Sequence, residues 1–184
     1  TLAEEFNIST TIILAETRSL ASLEAFFSSR FFHSAIQDRG SLGRGFAEFL
    51  LDGCQRGAWQ ALQIPDVVRL ESVMAGCRRS LAREGKYQAE AVPATINDRA
   101  RLRLAPGHDV ASFQGNVIKT IQHVERYLFE HSLMPAMALC DDAPKLIGLP
   151  EVDAQQKVYF LFSPNATGIA MTDLDKAAYL VLYD

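Results

Sequence analysis

The sequence predicts an α+β fold, an N-terminal helical bundle followed by a small, mostly antiparallel sheet with two helices. Three observations carry this. Apolar residues recur at helical spacing through most of the stretch before Gly85. After Gly85 the composition changes, and short alternating runs replace the helical stripes. Near the end, Lys157 to Phe162 is rich in β-branched and aromatic residues and leads through a turn to a partner strand. Two domains follow from this change: 1–85, helical, and 86–184, α+β.

Taken in chain order, Leu20, Leu23, Phe26, Phe27, Phe31 and Ile36 fall largely at three- and four-residue steps, so the spacing predicts one helix over Thr17 to Gln37. Asp38 to Gly45 holds three Gly and a Ser, a linker composition. Phe46, Phe49, Leu50 and Cys54 share the face of a second helix that runs on through Trp59 to about Leu62. Pro65 opens a third, because its missing N–H costs nothing in a first turn. Val67, Leu70, Val73, Met74, Cys77 and Leu81 form its stripe, and Gly85 supplies a left-handed stop. Tyr87 to Val92 and Arg101 to Leu104 read as short strands, with Pro106-Gly107 as a turn and His108 to Phe113 as a third strand. Val117, Ile121, Val124 and Leu128 restore helical spacing. Pro135 to Pro150 reads as a loop. After the strand at Lys157 to Phe162, Ser163 to Gly168 turns and Ile169 to Met171 returns. Thr172 is then the expected N-cap of a final helix through Leu174, Ala177, Ala178 and Leu182.

The 184 residues are 48% hydrophobic and 22% charged, which excludes a disordered chain. Charge is spread evenly: residues 1–100 carry 11 basic and 12 acidic side chains, residues 101–184 carry 7 and 10. The densest basic clusters, Arg78, Arg79 and Arg83 and then Arg99, Arg101 and Arg103, are short and have acids nearby, and with a net charge of -4 nucleic-acid binding is not expected. No apolar run approaches the roughly 20 residues of a membrane span, so no membrane association is expected either. Cys54, Cys77 and Cys140 are widely spaced and odd in number, which fits buried thiols in a reducing, cytoplasmic setting.

The supply of chemistry-bearing side chains is thin, with four His and three Cys. His123 and His131 share a helix face but stand two turns apart, about 12 Å, too far for one ion. His33 and His108 have no partner at ligand spacing. There is no nucleophile elbow, and Gly40, Gly43 and Gly45 join two helices rather than a strand and a helix, so they do not make a phosphate loop. No catalytic residue and no metal ligand is therefore assigned. A thiol- or His-dependent enzyme or sensor built on Cys77 or His123 stands as the alternative. Two features point to binding. The strand with Lys157, Tyr159 and Phe160, or that of Arg101 to Leu104, is a candidate sheet edge for an added peptide strand. Phe26, Phe27, Phe31 and Phe32 span more of the first helix than one core face needs, so Phe27 and Phe31 are expected to await a partner.

Phe46 to Leu50 (Phe-Ala-Glu-Phe-Leu), Ile64-Pro65-Asp66-Val67-Val68-Arg69-Leu70-Glu71, Leu102-Arg103-Leu104-Ala105-Pro106-Gly107 and the closing hairpin and helix from Val158 resemble, in order and spacing, the partner proteins of multinuclear non-haem iron oxidases. Within that family the chain is most similar to the methanobactin-biosynthesis branch. Ser72-Val73-Met74 stands where the wider family has a Trp. The resemblance implies a non-catalytic subunit that holds no cofactor of its own. It implies two partners, an iron-bearing oxidase subunit and the leader of a ribosomal precursor peptide whose cysteines become oxazolone and thioamide groups. On that footing Arg101, Arg103 and Lys157 are expected to meet acidic leader residues, beside Tyr159 and Phe160.

Overall fold

A computed structural model describes residues 2–84, 104–131 and 143–183. Its elements are α1 (Leu2–Glu5), α2 (Asn7–Thr17), α3 (Ala21–Glu24), a 3-10 turn (Ala25–Ser28), α4 (Arg30–Gln37), α5 (Leu42–Gln55) and α6 (Ile64–Glu84). There follow β1 (Asp109–Gly115), α7 (Val117–Glu130), β2 (Asp153–Asn165), β3 (Gly168–Leu174) and α8 (Lys176–Tyr183). Helices precede a three-stranded sheet of order β1-β2-β3, so the fold class is α+β as the sequence predicts. The chain divides into two compact units interleaved in sequence. One is Thr1–Ser72 with Phe113–Lys157, the other Val73–Ser112 with Val158–Asp184. This division differs from the 1–85 and 86–184 boundary expected from composition.

In the first unit, Phe26 sits at the centre of an aromatic cluster. Its ring meets Phe46 at 5.1 Å, Phe32 at 5.5 Å and Phe49 at 5.6 Å between centroids, mostly edge to face as ring quadrupoles favour. The single helix expected over Thr17 to Gln37 is broken. Ser29 is extended, and its hydroxyl accepts the Phe32 N–H at 3.3 Å, capping α4. A serine at this point offers the backbone an alternative to continuing the helix. The glycines expected in a linker lie partly inside α5. A Cβ on Gly45 would stand 2.9 Å from the Phe31 carbonyl oxygen, so glycine is what lets α4 and α5 approach. The second helix stops at Gln55 rather than Leu62. Gly57 turns the chain at φ 69°, and Trp59 folds back over Gly53.

Helix α2 is not announced by periodicity, because Ile8 through Leu14 are all buried. A helix covered on every side shows no apolar-polar contrast. Its N-terminus has no local side-chain cap. Glu71 of α6 supplies one: its carboxylate accepts the Ile8 N–H at 2.7 Å, the Ser9 N–H at 3.2 Å and the Ser9 hydroxyl at 2.6 Å.

In the second unit, Gly107 adopts φ 78° in the expected Pro106-Gly107 turn. Its N–H donates to the Ser80 hydroxyl at 3.2 Å, and its open face lies against Leu81. β2 and β3 pair antiparallel from Tyr159↔Leu174 to Asn165↔Gly168. Phe160 and Phe162 are buried on one face of β2. β3 runs on through Thr172, and the helix cap is Asp175, whose carboxylate accepts the Ala178 N–H at 2.7 Å. The strands expected at Tyr87 to Val92 and Arg101 to Leu104 lie outside the described residues, apart from Leu104, which is in no strand.

Candidate functional site

The sheet position of β2 corrects one expectation. Lys157 to Ser163 was a candidate edge, but β2 is the middle strand, hydrogen-bonded to β1 on one side and β3 on the other. Alternation along a strand reveals which face is buried and says nothing of its neighbours. The outer strand of the second unit is β3, paired among the described residues with β2 alone.

The expected peptide-contacting residues separate accordingly. Phe160 is 5% exposed and belongs to the core, so it offers no surface to a peptide. Tyr159, on the opposite face, is half-buried, with its ring 4.8 Å from that of Tyr179 in α8. Leu174 stands directly across from Tyr159, and Thr172 from Leu161, so this face of β2 and β3 carries a mixed apolar strip. Lys157 is exposed. Arg101 and Arg103 lie outside the described residues.

Helix α8 follows β3 after a single residue. None of its side chains is buried, and Leu180, Val181 and Tyr183 are exposed, Val181 by 76%. A helix this apolar ordinarily buries one stripe, and here only the side with Tyr179 finds a ring partner in the sheet. Sequence reading placed this helix but not its exposure.

In the first unit, Phe27 is 57% exposed and touches Phe26 at 5.7 Å and Phe32 at 5.5 Å, forming the outer lip of the aromatic cluster. Phe31 is half-buried against Phe49 at 6.4 Å, with the Arg30 guanidinium 4.8 Å over its ring. Phe27 is thus the surface aromatic of the pair, and Phe31 divides itself between the core and Arg30.

The reactive-thiol reading finds little support in the chemistry. Burial pushes the Cys54 thiol up to about 11, with the Glu16 carboxylate adding to the effect. Burial raises Cys77 to about 11 as well, and Asp109 outweighs the opposite pull of Arg78. Both are protonated at neutral pH and therefore poor nucleophiles. His123 gives its Nε2 to the Ile147 carbonyl at 2.8 Å, and the His131 ring packs 5.0 Å from Tyr127. Among the described residues no group of three or more His, Cys, Asp or Glu is placed to hold a metal.

Two buried carboxylates escaped sequence reasoning. Beside Glu71, Asp66 takes the Arg69 guanidinium at 2.6 Å and the Gln114 N–H at 3.3 Å. It borders a small cleft lined also by Gln63, Gly115, Val117, Thr120, Glu151 and Val152. Their signal in the sequence was faint, a pair of acids five residues apart on a helix that reads as amphipathic. No described helix is long and apolar enough to cross a membrane. Compared with protein-family models, with curated proteins and with solved structures, the chain matches none.

Proposed function

We propose that this chain is a non-catalytic partner subunit that binds a multinuclear non-haem iron oxidase. In this reading it recognises the leader of a ribosomal precursor peptide, whose cysteines the oxidase converts to oxazolone and thioamide groups in methanobactin biosynthesis. The observation that carries the reading is β3, a seven-residue outer strand with one described partner. An extended leader laid along it gains main-chain hydrogen bonds, and side chains alternating across the two faces supply selectivity. Exposed Lys157 is available to acidic leader residues, and Arg101 and Arg103 are proposed for the same task. Phe27 and the apolar side of α8 are the proposed contacts with the oxidase, because desolvated aromatic anchors dominate such interfaces. The iron belongs to the oxidase.

Successive residues of a strand point their N–H groups to opposite sides. Of Ala170→Pro and Met171→Pro, one therefore removes an outward N–H and the other a bond to β2. Co-expression with an oxidase of this kind and its precursor peptide, followed by calorimetry with the leader, gives the test. The expected result is an iron-bearing complex in which the outward proline weakens leader binding about tenfold or more while the thermal midpoint holds. A chain that ignores the oxidase, or full leader affinity in both variants, overturns the proposal.

A further inference from the structure

Residues 143–152 cross the first compact unit without regular structure, yet their carbonyls are tied down one after another. The Pro144 carbonyl accepts from the Arg18 guanidinium at 3.0 Å and the Tyr127 hydroxyl at 2.5 Å. Ile147 accepts from His123 Nε2 at 2.8 Å, Pro150 from the Gln63 amide at 2.7 Å, and Glu151 from the Asn116 amide at 3.0 Å. A carbonyl only accepts, so His123 carries its proton on Nε2. The segment runs antiparallel to α7: Tyr127 holds its start, His123 its middle and Asn116, at the helix N-cap, its end. From Asn116 to Tyr127 the helix rises about 17 Å. Seven residues of nearly extended chain span about 23 Å, and the turn at Gly148, φ 71°, shortens the path.

Two features distinguish this from ordinary packing. Among the described residues, no main-chain to main-chain hydrogen bond joins the segment to the rest of the unit. Pro144, Lys145, Ile147, Gly148 and Glu151 are exposed, and the other five residues are half-buried, none of them buried. The segment is thus held as a bound peptide is held, by side-chain donors reading its backbone. Its end is also a wall. Glu151 and Val152 close the cleft over buried Asp66 and Thr120 until about one water molecule fits.

We propose that residues 143–152 are a releasable strap that lifts from α7 as a unit and opens the cleft over Asp66 and Thr120 while α2 and α7 stay folded. This is independent of the partner reading above. The five ties contribute about 0.5–1.5 kcal/mol each, and opening the strap breaks these without breaking the helices, so it costs less than global unfolding.

Lysine-specific proteolysis of the full chain counts the released state, because a protease takes an extended, freed stretch and Lys145 is the lysine within the strap. Cleavage after Lys145 is expected well before cleavage after Lys119 in α7, with sites assigned by mass. Tyr127→Phe, His123→Ala and Gln63→Ala are each expected to speed the Lys145 cut about twofold to tenfold, the factor one lost tie allows. The thermal midpoint falls by a few degrees at most, the Lys119 cut speeds by no more than the same factor, and the Lys145 cut stays well ahead of it in every variant. Tyr127→Phe, which removes one hydroxyl, keeps the test open if a larger truncation misfolds. Cutting at Lys145 only in step with Lys119 overturns the proposal. So does a Lys145 rate that the variants leave unchanged, because an exposed lysine cut in place needs no release.

Discussion

Replacing Glu71 with Gln tests whether a cap delivered from 62 residues away holds α2 in place. The carboxylate meets three donors, at 2.7 Å, 3.2 Å and 2.6 Å. Glutamine keeps one acceptor for the Ile8 N–H but turns an NH2 group toward the Ser9 N–H and hydroxyl, so two donors face a third. Hydrogen bonds to a charged group contribute about 1.5–3 kcal/mol each, and a negative charge at a helix N-terminus about 0.3–1 kcal/mol more. The hydroxyl of Ser9 can rotate to accept, which recovers part of the loss. The expected destabilisation is therefore about 3 kcal/mol. With a urea slope of about 2 kcal/mol per molar, the midpoint falls by about 1.5 M. Trp59, the lone tryptophan, lies in the same compact unit and reports the transition. Ser9→Ala, which removes one donor and leaves the charge, is expected to cost about 1–2 kcal/mol. Combined with Glu71→Gln it should cost less than the sum, because the two act on one interaction. A Glu71→Gln protein within about 0.5 kcal/mol of the parent would refute the capping role.

Gly53→Ala tests the fold-back of Trp59. The added Cβ would lie 1.8 Å from the indole Cζ3. The ring must leave its buried site, at about 1–3 kcal/mol for the overpacking and a red shift in tryptophan emission. Unchanged emission and stability would mean that the indole does not rest on this glycine. For the thiols, modification of Cys54 and Cys77 followed by peptide mass mapping is expected to be slow at pH 7 to 8 and to accelerate toward pH 11. The linkage has a definite sign. A thiol with a folded value of about 11 against an ordinary 9 binds more protons when folded between those values. Stability is fully present below about pH 9 and is lost as pH rises toward 11. Rapid labelling of either thiol at pH 7 in the folded protein would contradict this.

Helix α6 was legible because a proline marks its start and one stripe of apolar residues runs its length. The turn at Gly107 and the strand β2 were legible for similar local reasons: a left-handed backbone position and a β-branched, aromatic run. What failed was everything decided by neighbours distant in sequence. The break at Ser29, the burial of α2 on all sides and the packing role of Gly45 each depend on an element that periodicity cannot see. The middle place of β2 is of the same kind. A strand with one apolar face reads alike at the edge and in the centre, because the hydrogen-bonding sides lie at right angles to the faces the side chains mark.

The two acids of the run Pro65-Asp66-Val67-Val68-Arg69-Leu70-Glu71 are buried acceptors of backbone N–H groups. Asp66 takes the Gln114 N–H of β1, and Glu71 takes those of Ile8 and Ser9 at the start of α2. Both lie on α6 and reach in different directions, so the motif works as a joint between three elements of one compact unit. The two acids thus bear on how this unit is held together rather than on what the chain binds. The functional reading therefore leans less on the motif than on the surfaces that the fold leaves open, the outer side of β3, Phe27 and the apolar side of α8. Substitutions separate the two claims. Changes at Asp66 and Glu71 act on stability whatever the chain binds, whereas changes along β3 act on leader affinity only if the partner reading is right.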